Sequence, residues 1–473
     1  MRIRVFLAAF TFCFTSIFLP LLILESTGGI EMTVGILTSM VLTIYIGLHL
    51  SYLVYDGKKK ILDITFWIFS YVWLGIAALA QNSSAQYPWP GYYNESEILP
   101  AFFTILIGFL SYDLASFFAK RKYTYPAKNN NSDFHFSYSK TILLGIAASC
   151  LSIYLIYSIG LENFFMARKE MRAIFESKME SILQQNFAKG PIFASFLICI
   201  QLVKNTSYSQ VRRILIMGLM ILLLVLNLIV SNPVSSARFW TGTVILSTFF
   251  ILVNWKSYTN FLLINFFILV FVILFPYTDA YRRSTDTTIN VQLQEEAILS
   301  NLTENGDYDA YQMILNTIKY TQSSDITYGR QLMGAALFWV PRQYWEDKPV
   351  GSGQYVAEGL RYSYTNLSCP LWAEAYINFG MIGVILTFLV YGIVKEKLQS
   401  IYDNIRHQTE KVKNIDYLTV IVPFLAAYQF FALRGSLINV FAYSSVFLLF
   451  FFLHLKRSER SEKKISRQKT VLH

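Results

Sequence analysis

Apolar runs of about twenty residues recur from Val5 to His454, separated for the most part by short polar connections. As a helix, each run is long enough to cross roughly 30 Å of hydrocarbon. The runs predict spans over 5–24, 32–55, 61–80, 98–119, 140–160, 190–204, 211–230, 238–254, 259–277, 371–394, 416–433 and 437–455. Backbone in hydrocarbon must satisfy its own N–H and C=O groups, and a helix does so within one segment. The predicted fold class is therefore an all-α polytopic membrane protein with about twelve transmembrane helices. The first run lacks a small-residue cleavage pattern and is read as a retained span.

One interruption is long. Residues 278–370 look soluble, with apolar residues at helical spacing over Gln292–Leu302 and Tyr308–Tyr320. Leu332–Val340 is apolar enough to dip into a membrane, and Pro341 and Pro349 bracket a turn. In a second interruption, 161–189, the stretch Ala167–Arg172 reads as an interfacial amphipathic helix with Arg168 and Arg172 one turn apart. The organisation expected is nine helices with that interfacial segment over 1–277, a large partly helical loop over 278–370, three helices over 371–455, and a basic tail over 456–473. No tandem repeat is evident, which weighs against inverted-repeat transporters.

Charge then orients the bundle. The chain is 54% hydrophobic and 15% charged, against about 25% charged in a soluble domain. A net charge of +10 would suggest nucleic acid in a soluble chain. Here Lys and Arg crowd alternate connections: Lys58–Lys60, Lys120–Lys122, Arg212–Arg213, Lys395–Lys413 and the tail from Lys456. That is the positive-inside pattern, so no nucleic-acid partner is expected, and these connections and both termini are predicted to be cytoplasmic. Segments 25–31, 81–97 and 278–370 fall on the opposite, trans side. Cys13, Cys150 and Cys199 lie in apolar runs and Cys369 stands alone, so no disulfide framework is available. Metal-ligand spacing is absent as well, and neither metal nor cofactor is expected.

Arginines Arg168, Arg172, Arg238, Arg282, Arg283, Arg330, Arg342, Arg361 and Arg434 fall on the trans side or its membrane edge. A guanidinium offers a fixed fork of donors matched to phosphate oxygens; the alternative is snorkelling to lipid headgroups. Arg238 and Arg434 stand beside the very short trans-side connections 231–237 and 433–436. A charge in a bundle is costly unless paired or lining a wet cavity, which makes both functional candidates. Glu374, in Trp372–Gly380 at the head of the tenth span, is either an arginine's partner or a general base. No histidine is predicted on the trans side, so acid–base work there falls to carboxylates or to positioning. Tyr87, Trp89, Tyr92 and Tyr93 could stack on sugars or form an interface belt.

Five passages, in this order and spacing, resemble the O-antigen polymerases, or Wzy proteins: Gly160–Arg168, Asn232-Pro233 through Arg238-Phe239-Trp240, Phe338–Arg342 through Trp345–Pro349, Glu374–Gly380, and Arg434-Gly435. The resemblance covers nearly the whole chain. It implies a glycosyltransferase C-like bundle in the bacterial inner membrane, with cytoplasmic termini and a periplasmic large loop. It also implies transfer of a growing glycan from an undecaprenyl-diphosphate carrier to a hydroxyl of the next lipid-linked repeat unit, building O-antigen, capsule or exopolysaccharide without metal or nucleotide sugar. The partners implied are the undecaprenyl-diphosphate-linked glycan, the lipid bilayer and a polysaccharide chain-length regulator. On that resemblance Glu374, Arg238 and Arg434 are the catalytic candidates, and Arg342, Arg168, Arg282, Arg283, Arg172 and Arg361 are expected to bind substrate. The rivals are an O-antigen ligase, whose family looks dependent on a periplasmic histidine this chain is not expected to offer, and a lipid-linked oligosaccharide flippase.

Overall fold

A computed structural model describes residues 2–27, 32–123, 134–166, 168–175, 178–204, 208–274, 295–408 and 415–457. Arg282 and Arg283 lie outside the described residues. Among those described, 8 helices are long and apolar enough to cross a membrane: Arg2–Ser26, Val34–Asp56, Ile61–Ser84, Glu95–Arg121, Tyr138–Ile159, Gln184–Lys204, Gln210–Val230 and Leu371–Ile405. Shorter apolar helices occupy Arg238–Leu252, Thr259–Val272, Leu418–Arg434 and Leu437–Leu453. Every predicted span falls on one of these helices, and the chain is a multi-pass helical membrane protein. A small antiparallel ribbon, Phe134–Phe136 with Leu455–Arg457, is the β-structure present among the described residues.

The described residues form two compact units. The first comprises Met1–Phe118, Asn254–Val394 and Gln429–Asn439. Its axis is the helix Ile61–Ser84, buried on every face from 61 to 82. Burial on every face makes this a core helix, and several of its polar groups bond to neighbouring segments. The Tyr71 hydroxyl donates to Thr15 O at 2.7 Å. At the far end, Asn82 Nδ2 donates to Gly35 O, Ser39 Oγ and the Tyr311 hydroxyl. The stretch Ser70–Ile76 is π-helical, a wider turn often found at functional sites, and it carries Trp73 out of strict α register.

The helix Leu371–Gln408 is broken at Phe379 (φ −143°, ψ 19°) and Gly380 (φ 61°, ψ −150°). The predicted span 371–394 thus opens with a short arm, 371–378, set off from a long arm beginning at 381. Gly380 sits in backbone space open essentially to glycine alone, and an added Cβ there meets nothing within 4 Å. A Gly380→Ala change should therefore act through backbone strain, costing about 1–3 kcal/mol. It should lower the thermal unfolding midpoint in detergent; an unchanged midpoint would mean the break is dispensable.

The second unit comprises Ala119–Val253, Lys395–Tyr428 and Val440–His473. Its core is aromatic: Phe424 stacks on Phe447 with centroids 3.8 Å apart, and Phe193 meets Phe447 at 5.3 Å and Trp240 at 5.8 Å. The amphipathic stretch predicted at Ala167–Arg172 is a helix over Arg168–Ala173. The side chains of Arg168 and Arg172 lie outside the description. The next helix begins at Lys178, well ahead of the 190 expected for its apolar portion.

Candidate functional site

In the first unit, the segment 295–370 is built on four helices: Glu295–Glu304, Ala310–Ser323, Arg330–Ala336 and Ser352–Gly359. Between the first two, the Asn305 side chain accepts from Asp307 N at 3.0 Å and starts a single 3₁₀ turn, Gly306–Tyr308. The core helix fixes that turn. Gln81 Nε2 donates to Leu302 O and Tyr308 O at 3.0 Å each, and Trp73 Nε1 donates to Asp307 O at 2.7 Å. Buried carbonyls need such partners, and meeting that need sets where Asp309 sits.

Asp309, with a side chain 1% exposed, is the hub. Its carboxylate accepts from Arg434 Nη2 at 3.0 Å, Ser368 Oγ at 2.6 Å and Trp89 Nε1 at 3.0 Å. Arg434 Nη2 also donates to Gly306 O at 2.5 Å and lies 3.9 Å from Asp307. Among the described residues its Nε is buried without a partner. The charge that the sequence leaves bare at the end of Leu418–Arg434 is thus held by two acids and a carbonyl.

The backbone around Arg434 is tied down as well. Cys369 N donates to Arg434 O at 3.1 Å, and Gly353 N donates to Ser436 Oγ at 3.2 Å. A Cβ on Gly353 would lie 2.2 Å from Ser368 O, so this close approach of backbone requires glycine. Leu437 N donates to Glu374 Oε1 at 2.8 Å, and Ser352 Oγ donates to Oε2 at 2.7 Å. Glu374, 2% exposed, therefore caps the first turn of Leu437–Leu453, where a carboxylate is favoured by the helix dipole. Among the described residues its partners are a hydroxyl and an amide, and no arginine.

Glu374 and Arg434 thus meet on one connection, 434–437. Arg342 and Arg361 also belong to this unit and are exposed. Arg342 lies in the turns after Pro341, where Lys348 Nζ donates to Phe338 O at 2.5 Å and Val340 O at 2.9 Å. Burial holds the Lys348 pKa below its ordinary value, and Arg342 adds to the effect. Arg361 adopts φ 60°, a left-handed conformation that side chains other than Gly and Asn seldom take.

Arg238 belongs to the second unit, half-buried at the start of Arg238–Leu252. The preceding Asn232 organises the turn: its Oδ1 accepts from Val234 N at 2.9 Å, and its Nδ2 donates to Phe164 O at 2.5 Å. Of the candidate aromatic platforms, three are bonded inward. Tyr87 donates to Asn82, Tyr93 donates to Asn316, and the Trp89 backbone exchanges hydrogen bonds with the Gln312 amide. Burial raises the Tyr93 phenol pKa, with Tyr362 adding to it. Tyr92 is exposed. All four cysteines are unbridged.

Asp309 is the residue that reading the sequence misses. In Asn305-Gly306-Asp307-Tyr308-Asp309 the acids read as ordinary helix-start residues, and a partner 125 positions away leaves no local trace. Compared with known proteins, the chain matches no family model, and neither a curated protein nor a solved structure is significantly similar to it.

Proposed function

We propose that the protein polymerises undecaprenyl-diphosphate-linked oligosaccharide repeat units into a surface polysaccharide. It works at the periplasmic face of a bacterial inner membrane, with about twelve spans, cytoplasmic termini and the 278–370 loop periplasmic. The observation that supports this reading most is the convergence of Arg434 and Glu374 on the 434–437 connection, bonded into a folded segment that carries further arginines. A diphosphate leaving group gathers negative charge as the glycosidic bond breaks, and cations placed there stabilise that transition state. Arg342 and Arg361, being exposed, take the lipid diphosphate in this reading. Arg434, oriented by Asp309, supplies fixed positive charge. Glu374 is the base: an acceptor hydroxyl replacing Ser352 at Oε2 would give up its proton as its oxygen bonds to the donor's anomeric carbon. Arg238 is the second unit's candidate for substrate charge, and Arg168, Arg172, Arg282 and Arg283 stand as candidates on the sequence alone. A chain-length regulator is the expected partner.

The purified protein, given lipid-linked repeat units from its own organism and no nucleotide sugar, should produce a ladder of lengthening glycans. Arg342→Ala, at an exposed position, should slow the ladder without loss of folded protein. Absence of a ladder, with repeat units crossing vesicle membranes instead, would replace this reading with a flippase.

A further inference from the structure

The segment 328–344 turns an unusual share of apolar side chains outward. Tyr328, Leu332, Met333, Leu337, Trp339 and Tyr344 are all exposed, Trp339 at 67% and Tyr344 at 78%. Water-facing surfaces rarely gather so many large apolar groups in one short stretch. The helix Arg330–Ala336 at its centre is fixed to the head of the broken helix: Thr327 N donates to Ile377 O at 2.8 Å, and Leu332 N donates to Asn378 Oδ1 at 3.0 Å. A Cβ on Gly329 would lie 2.7 Å from the Phe379 ring, so the two segments are in direct contact. From that contact the long arm runs on with Ile382, Leu386, Val390 and Ile393 exposed. Their three- and four-residue spacing marks one helix face, and on an apolar span an exposed face of this kind meets lipid.

We infer that residues 328–344 form an interfacial anchor, lying in the headgroup and acyl boundary of the phospholipid leaflet that the 381–408 arm enters. The outward patch continues that arm's lipid-facing stripe. Its tyrosines and tryptophan are the side chains enriched at membrane–water interfaces, where an apolar ring and a polar tip suit both phases. Arg342, exposed in the same stretch, places a guanidinium at the depth of the lipid phosphates. Lys348 is turned inward onto carbonyls, which leaves Arg342 as the outward cation of the turn. The anchor would hold the 295–370 segment against the membrane surface.

The test uses the full chain in nanodiscs of phosphatidylethanolamine and phosphatidylglycerol. A nitroxide is attached at Met333→Cys, Trp339→Cys or, as a control, Glu358→Cys, with the four native cysteines changed to alanine. Glu358 is exposed on the helix Ser352–Gly359. At 333 and 339, relaxation by oxygen should exceed that by a water-soluble nickel chelate several-fold, with the order reversed at 358. Strong nickel access at all three positions would overturn the proposal. Should the substituted chain fail to fold, the native-cysteine protein gives the same decision through quenching by lipids with brominated acyl chains. Trp339→Phe should remove a quenchable part of the tryptophan fluorescence; an unchanged quenched fraction would count against the anchor.

Discussion

Replacing Asp309 with alanine should destabilise the protein by about 3–5 kcal/mol. The Arg434 guanidinium, whose side chain is 26% exposed, would keep Gly306 O at 2.5 Å and Asp307 at 3.9 Å. A largely buried cation would then lack its close counter-ion, and the penalty is the desolvation of that charge. Two neutral donors, Ser368 Oγ and Trp89 Nε1, would lose their acceptor as well. Asp309→Asn should be milder, because an amide oxygen still accepts, but the charge is still gone. Arg434→Met in the Asp309→Asn background should recover part of the loss, since removing both charges avoids leaving one unpaired. The readouts are the thermal unfolding midpoint in detergent, expected to fall by roughly 5 °C for Asp309→Ala, and proteolytic cleavage within 295–370. A fall of a degree or two would mean that the pair does not hold the turn to Arg434.

That pair also marks where the sequence stops being legible. Among the described residues every apolar helix lies on one of the predicted runs, because an apolar run in hydrocarbon satisfies its backbone as a helix. The helices Glu295–Glu304 and Ala310–Ser323 lie where the spacing over 292–302 and 308–320 places them, since each must turn one face to a core. Local backbone events are harder to read. Gly380 stands among ordinary span residues, and the π stretch Ser70–Ile76 has no composition of its own. Both depend on what packs against them. Glu374 and Arg434 are legible as costly polar groups at span ends, but their partners are not. Glu374 faces an amide 63 residues on, and Arg434 faces an acid that looks like an ordinary helix-start residue. Burial costs can be read from one position; the groups that offset them are a property of the fold.

Glu374→Gln is expected to separate the two roles that its geometry allows. Glutamine keeps an oxygen for Leu437 N, and its amide can donate to the Ser352 hydroxyl, so the contacts at 2.8 and 2.7 Å survive in altered form. Only the charge-assisted part of the cap is lost, which is worth about 0.3–1 kcal/mol. Glu374→Leu, in contrast, strands the Leu437 amide and the Ser352 hydroxyl in a buried site, at about 1–3 kcal/mol for each group left unsatisfied. Stability should therefore rank wild type, then Gln close behind, then Leu well below. Activity should rank differently. A glutamine cannot accept the acceptor hydroxyl's proton, so Glu374→Gln should lower the rate of chain extension by about 10²–10⁴-fold while its unfolding midpoint stays near that of wild type. Purified protein with lipid-linked repeat units gives the rate, and the same preparation gives the midpoint. If Glu374→Gln extends chains as fast as wild type while Glu374→Leu unfolds, the carboxylate serves only to cap Leu437–Leu453, and the base must be sought elsewhere in the first unit.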